Sequence, residues 1–290
     1  MKLFKTKIQE KDFVESMLPK TRKEVFFDTL KIHWRTFLLL GLLILVCSLP
    51  IHILSIVEDL QTLAVINQLN ENVTEAENLN ANLQIIAFKN VLLFIKALFL
   101  VLLTVVLCGI FRIARQYSWL ENVTVSYDFF LGVKQNVGQI LPVSLIMAVF
   151  YAFSQYTYNF MSVSSGNLSF LMIVPLASLF LIFLPICGYF AVAVTVYSNS
   201  LLTNLKIAFM LYVKNPFKAI FVTLLCLIPF IPLIIPSVGV HIVGRILSSV
   251  FVPIITLAWT LFSMNQLDQY INSTYHPELV DRGLYKEDKN

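Results

Sequence analysis

Six apolar stretches, beginning near Phe37, Val91, Ile140, Phe170, Phe217 and Ile246, restrict this chain to a small set of folds. Each is about 20 residues or longer, the length of helix that crosses about 30 Å of hydrocarbon. The runs are apolar all round rather than striped, as a lipid-facing helix requires. Alternation of period two, the mark of a membrane β-barrel, is absent. The fold class these runs predict is all-α: a polytopic membrane protein with six transmembrane helices. At 13% charged residues, the chain has about half the share of an ordinary soluble domain.

The basic residues set the expected threading. With the N-terminus inside, all of the 21 Lys and Arg except Lys89, Lys96 and Arg245 fall on the inner side. Such a partition is the positive-inside rule at work, and it predicts cytoplasmic N- and C-termini. It also accounts for the net charge of +4, so the bilayer is the expected partner and nucleic acid is not. The first run begins after residue 36 and is too long for the apolar core of a signal peptide, which predicts an uncleaved anchor. The chain divides into a basic segment (1–36), a six-span membrane domain (37–264) and a polar tail (265–290). An acidic, Lys- and Arg-free loop from Glu58 to Gln84 is expected outside, as are residues 162–169 and 236–245. Spans end or turn near Ile56, Phe111, Met161, Val196, Ile235 and Met264.

Two inner segments carry helical periodicity of their own. Phe130, Val133, Val137 and Leu141 share one face, with Asp128, Lys134, Gln135 and Gln139 on the rest. Leu202, Leu205, Phe209 and Tyr212 repeat the pattern behind a possible N-cap at Ser200. Both read as helices in the inner interface, over 126–138 and 200–213. A Phe-x4-Lys spacing recurs at Phe26–Lys31, Phe129–Lys134 and Phe209–Lys214, each before a span. Three repeats of an interfacial helix plus a transmembrane hairpin would produce it, and so would chance among Phe-rich segments.

Few residues point to chemistry. No Asp or Glu lies within the six runs, which argues against a transporter coupled through a membrane carboxylate. Lys89 and Lys96 share a helix face near the outer end of span two. With Arg245, and His241 beside it, they form a candidate anion or headgroup site; snorkelling to the interface or pairing with the acidic loop is the plainer account. Span three carries a polar stripe of Ser144, Tyr151, Gln155 and Tyr158, flanked by Ser154 and Asn159. Tyr151, Gln155, Tyr158 and Asn159 are candidates to line a path for a polyol or sugar, or else to pack helices together through hydrogen bonds. Prolines at 50, 175, 185, 229, 232 and 253 imply kinks or broken helices. Cys47, Cys108, Cys187 and Cys226 are isolated within spans, so neither a disulfide framework nor a metal site is expected. The four histidines are scattered, and the hydrolase, P-loop and dinucleotide signatures are missing, so no enzyme and no cofactor is expected. The Asn-x-Ser/Thr triplets at Asn72, Asn122, Asn167 and Asn272 fall on both sides and read as coincidence.

Three segments resemble the YesL family of bacterial integral membrane proteins: Cys47-Ser48-Leu49-Pro50-Ile51, the stretch Asp128-Phe129-Phe130-Leu131-Gly132-Val133-Lys134-Gln135-Asn136, and Asn204-Leu205-Lys206-Ile207-Ala208 through Asn215-Pro216. The long basic N-terminus and the acidic loop are larger than the family pattern. The resemblance implies a bacterial plasma-membrane protein, associated with carbohydrate uptake and bringing no catalytic residues. The expected function is that of a non-enzymatic protein accessory to transport, partnered by a membrane transport complex. A small facilitator with a polar path along span three, and a cell-envelope or lipid-headgroup enzyme, are the alternatives.

Overall fold

The computed structural model describes residues 18–69, 74–161, 169–235 and 237–285, and these are all-helical, with no strand among them. Among the described residues five helices are long and apolar enough to cross a membrane: Arg22–Asn67, Glu75–Ser118, Val125–Phe160, Phe170–Val196 and Val238–Tyr275. A sixth would follow if the bent pair Leu201–Lys214 and Pro216–Cys226 were counted as one span.

The first helix, α1 (Arg22–Asn67), starts inside the basic segment, with Thr21 accepting from the Glu24 backbone N–H at 3.2 Å. It bends at His33, which is non-helical (φ −112, ψ 21), so Arg22–Ile32 forms a short arm ahead of the apolar run. The His33 ring rests 4.6 Å from that of Tyr117. At its far end α1 does not stop where the apolar run does. It continues through Glu58 and Asp59 to Asn67, and α2 (Glu75–Ser118) starts from a capping box in which Thr74 and Glu77 bond reciprocally. The acidic loop expected over Glu58–Gln84 is therefore mostly helix, to Asn67 and again from Glu75. Charge alone had separated it from the spans, whereas Leu60, Leu63, Ile66, Leu79 and Leu83 keep a helical apolar spacing. Glu71 and residues 162–168 lie outside the described residues.

Helix α3 (Val125–Phe160) merges the expected interfacial helix and span three into one rod. Its faces differ from the expected ones. Asp128 is buried and Phe130 is 70% exposed, while Val133 and Val137 pack on the core. The reason is a cluster of buried polar partners. Asp128 accepts from the Thr124 backbone N–H and from Gln116 at 2.8 Å each, and its carboxylate lies 3.6 Å from Arg112. Arg112 also donates to Gln135 at 2.7 Å, and its side chain lies where a Cβ on Gly132 would come within 2.7 Å. The residues of the Asp128–Asn136 stretch thus dock the start of α3 on the end of α2.

The fourth apolar helix is irregular. It opens with a 3-10 turn at Ser169–Ile173, continues as α4 (Val174–Ser178), widens to a π-helical turn over Leu179–Phe183, and ends as α5 (Leu184–Val196). Every residue from Tyr189 to Thr195 is buried, so α5 is the centre of the bundle. Helix α6 (Leu201–Lys214) is capped by Ser200, as its sequence predicts, but it turns Asn204, Ala208 and Leu211 inward and leaves Leu202 and Phe209 exposed. Asn204 is drawn in by a hydrogen bond to Gln139 at 2.9 Å. A 99° bend separates α6 from α7 (Pro216–Cys226), and the expected fifth span then breaks into a 3-10 turn at Ile228–Ile234. Pro229 and Pro232 remove the backbone donors that an α-helix would need there.

The last long helix, α8 (Val238–Leu267), passes Met264, where the polar tail was expected to begin. It runs on through a π-turn and α9 (Ser273–Tyr275), burying Gln266, Leu267, Asp268, Ile271 and Asn272. α8 packs along α1, where Gly41 admits the closest approach: a Cβ there would sit 2.6 Å from the Val250 carbonyl oxygen. One core fills the space among α1, α2 and α8 (Phe37, Leu40, Ile44, Ile110, Ile113, Leu257, Leu261). A second surrounds α5 (Tyr189, Phe190, Leu211, Trp259, Met264, Leu267). At the basic end Arg22 ties both chain ends together: it pairs with Asp268 at 2.9 Å and donates to the carbonyls of Ser118 and Arg282 at 2.9 Å.

Candidate functional site

Titratable and polar side chains gather in a layer near the acidic end, across α1, α2, α3 and α8. On α1, Ser48, His52 and Asp59 are spaced by four and seven residues, which keeps them on one face. On α8, His241, Arg245 and Ser249 are spaced by four and meet that face. The Asp59 carboxylate accepts from Arg245 at 2.8 Å and faces His241 Nδ1 at 3.1 Å. Four residues further along α8 from Arg245, His52 Nε2 lies 2.9 Å from both Ser48 Oγ and Ser249 Oγ, and the two hydroxyls are 3.3 Å apart. Beside Asp59, Glu58 pairs with Lys96 on α2. The Glu58 charge also reaches Tyr151 on α3, which packs on Leu93 and Ala97.

Lys96 and Arg245 therefore have carboxylate partners, with side-chain exposures of 12% each. Lys89, half-buried, is seven residues from Lys96, about 10 Å along the same helix at 1.5 Å per residue. Both paired cations spend their charge on the chain's own carboxylates, while Arg245 Nη1 remains buried without a hydrogen-bond partner among the described residues. On span three, Gln155 donates to Asn159 at 3.1 Å, and Asn159 donates to the buried Asn90 of α2 at 2.9 Å. Tyr151 sits in the α2–α3 seam, whereas Tyr158 is 42% exposed. The stripe thus joins two helices through Tyr151, Gln155 and Asn159, and Tyr158 stands outside that seam.

A serine beside an imidazole Nε2 is the pair used for nucleophilic catalysis, and Ser48–His52–Ser249 has that distance. Acyl transfer also needs free donors for the oxyanion. Both serines lie in helix interiors, where neighbouring N–H groups are committed to the i→i−4 ladder. Ser48 further donates to the Leu45 carbonyl at 3.1 Å. As built, the triangle is a clasp between α1 and α8. No group of three or more His, Cys, Asp or Glu that could hold a metal occurs among the described residues.

Sequence reading missed Ser48, His52, Asn90 and Ser249, whereas the pairing of Lys96 and Arg245 with carboxylates of the acidic segment is its plainer account of those cations. The signal was there in the exceptions to the basic partition: Lys96 and Arg245, out of place by the charge rule, are the two cations whose carboxylate partners stand on α1. Comparison with protein-family models, with curated proteins and with solved structures found no match.

Proposed function

We propose that this chain is a non-enzymatic, multi-pass protein of a bacterial plasma membrane, with its basic end in the cytoplasm, acting as an accessory to a solute-uptake system. The observation that carries the reading is that the carboxylates and most of the amides in the acidic-end layer are spent on partners from neighbouring helices. Glu58 meets Lys96, Asp59 meets Arg245 and His241, and Gln155 meets Asn159 and then Asn90. Groups committed to closing a bundle are poorly placed to coordinate a passing solute. The orientation is supported by the partition of basic residues. The uptake role, and carbohydrate as its solute class, rest on the YesL resemblance.

A second reading, a small facilitator, has one observation in its favour. The ion pairs and Tyr151 cross four helices in one layer, the arrangement of a gate that opens by exchanging partners. Flux separates the two. An accessory protein, purified and reconstituted alone into proteoliposomes, gives no sugar or polyol flux, while deletion in the host lowers uptake of one solute class and the protein copurifies with that transporter. Specific flux from the purified protein alone would overturn the accessory role.

A further inference from the structure

A cleft of about 320 Å³ opens at the basic end, between α6 and the far end of the last helix. That is the low end of the size range for small-ligand sites, about 300–1,000 Å³. Ile207, Met210 and Ile271 make its floor, and Thr203, Lys206 and His276 stand around it. Its back wall is fixed. The Tyr197 hydroxyl donates to Asn272, Asn272 donates to Asp268 at 2.8 Å, and Asp268 is held by Arg22. Burial, with the Asp268 carboxylate nearby, pushes the Tyr197 phenol above its ordinary range, so it remains a donor. The His276 ring lies 5.5 Å from that of Tyr197, and its Nδ1 is 3.4 Å from the exposed Glu278 carboxylate.

Helix α6 indicates what the cleft adjoins. Leu202, Lys206, Phe209 and Val213 follow i, i+4, i+7, i+11 on its outward face, and the three apolar ones are 58–69% exposed. That face is apolar enough to lie in the bilayer interface, with one cation in its middle. Lys206 is exposed, and no ion pair or hydrogen bond of its side chain occurs among the described residues. The cleft thus offers a nearly all-apolar wall with one exposed cation at its rim, at the boundary between acyl chains and headgroups.

We infer that this cleft binds one anionic phospholipid of the inner leaflet, with its phosphate against Lys206 at the rim and its acyl chain over Ile207, Met210 and Ile271. The assignment rests on the orientation proposed above and is independent of the accessory role. A zwitterionic lipid such as phosphatidylcholine would bring its own cation beside Lys206, and free phosphate would leave the apolar floor uncovered.

The test is native mass spectrometry of the full chain released from nanodiscs of phosphatidylcholine doped with phosphatidylglycerol. One phosphatidylglycerol should be retained per chain. Lys206→Gln should weaken it about fivefold, as expected for one basic residue near an anionic surface. Lys134→Gln, which removes an exposed cation of α3, should leave retention unchanged, and Lys206→Arg should preserve it. Equal retention of phosphatidylcholine, equal weakening by Lys134→Gln, or displacement of the lipid by inorganic phosphate at matching concentration would each overturn the assignment. Nanodiscs expose both leaflets, so this readout does not depend on orientation, which cysteine labelling in cells reports separately.

Discussion

Replacing Asp59 with Asn keeps the shape of the side chain and removes the charge that holds Arg245 and faces His241. The cost can be bracketed from burial. The Arg245 and Asp59 side chains are 12% and 21% exposed, so the pair is neither at the surface nor fully sealed. Exposed pairs contribute about 0–1 kcal/mol, and breaking a fully buried pair costs about 3–5 kcal/mol, which places Asp59→Asn near 2 kcal/mol. For a chain of this size that corresponds to a fall in thermal midpoint of about 4–8 °C, measured in one detergent at one scan rate. The same change with Arg245→Met removes both charges, and stability should largely return, because a buried pair replaced by apolar groups is often neutral. The difference between the double variant and the sum of the singles is the coupling, expected near 2 kcal/mol. A midpoint unmoved by Asp59→Asn in a folded sample, or a double variant no better than the sum of its parts, would show that water screens the layer and that it does not fasten α1 to α8.

Three further outcomes are expected. Asn159→Leu should lower stability by about 0.6 kcal/mol, the average hydrogen bond between membrane helices, and a cysteine at Gln155 should resist small polar thiol reagents; ready labelling there would revive a water-filled path. Asp128→Ala should destabilise by about 1–3 kcal/mol, since it strands Gln116 and Arg112, whereas Phe130→Ser should change the midpoint in detergent far less; the reverse order would mean that α3 is rotated. Cysteines at Glu77 and Lys134 should react differently with an impermeant reagent on intact cells, Glu77 alone being labelled, and labelling of Lys134 alone would invert the topology.

What the sequence made legible follows from how each element is held. The runs near Phe37, Val91, Ile140 and Phe170 were readable because all-round apolarity is a property of single segments, and each became part of one long helix. The run at Phe217 was legible through its prolines rather than through its apolarity. Its length fits a span, but Asn215-Pro216 and Pro229 cut it into an 11-residue helix and a 3-10 turn, and hydropathy does not register a missing N–H. The polar layer was hidden for a different reason. Glu58 and Asp59 were assigned to a loop by their charge, yet their partners stand on helices 38 and 186 residues away, and no local pattern states such a pairing. Asp128 was assigned to the polar face because a buried carboxylate looks solvated until Gln116 and Arg112 are seen beside it.

The pairing of the first long helix with the last has a consequence for how the chain is made. Asp59 waits 186 residues for Arg245, and Arg22 waits 246 for Asp268. During synthesis α1 enters the membrane early but acquires its main neighbour only once the segment from Val238 onward has been made. Until then Gly41 faces lipid instead of Val250, and Asp59 has no guanidinium. α1 is completed by α8, so a chain released before residue 238 would lack Arg245, Val250 and Asp268 and, with them, the completion of its first helix.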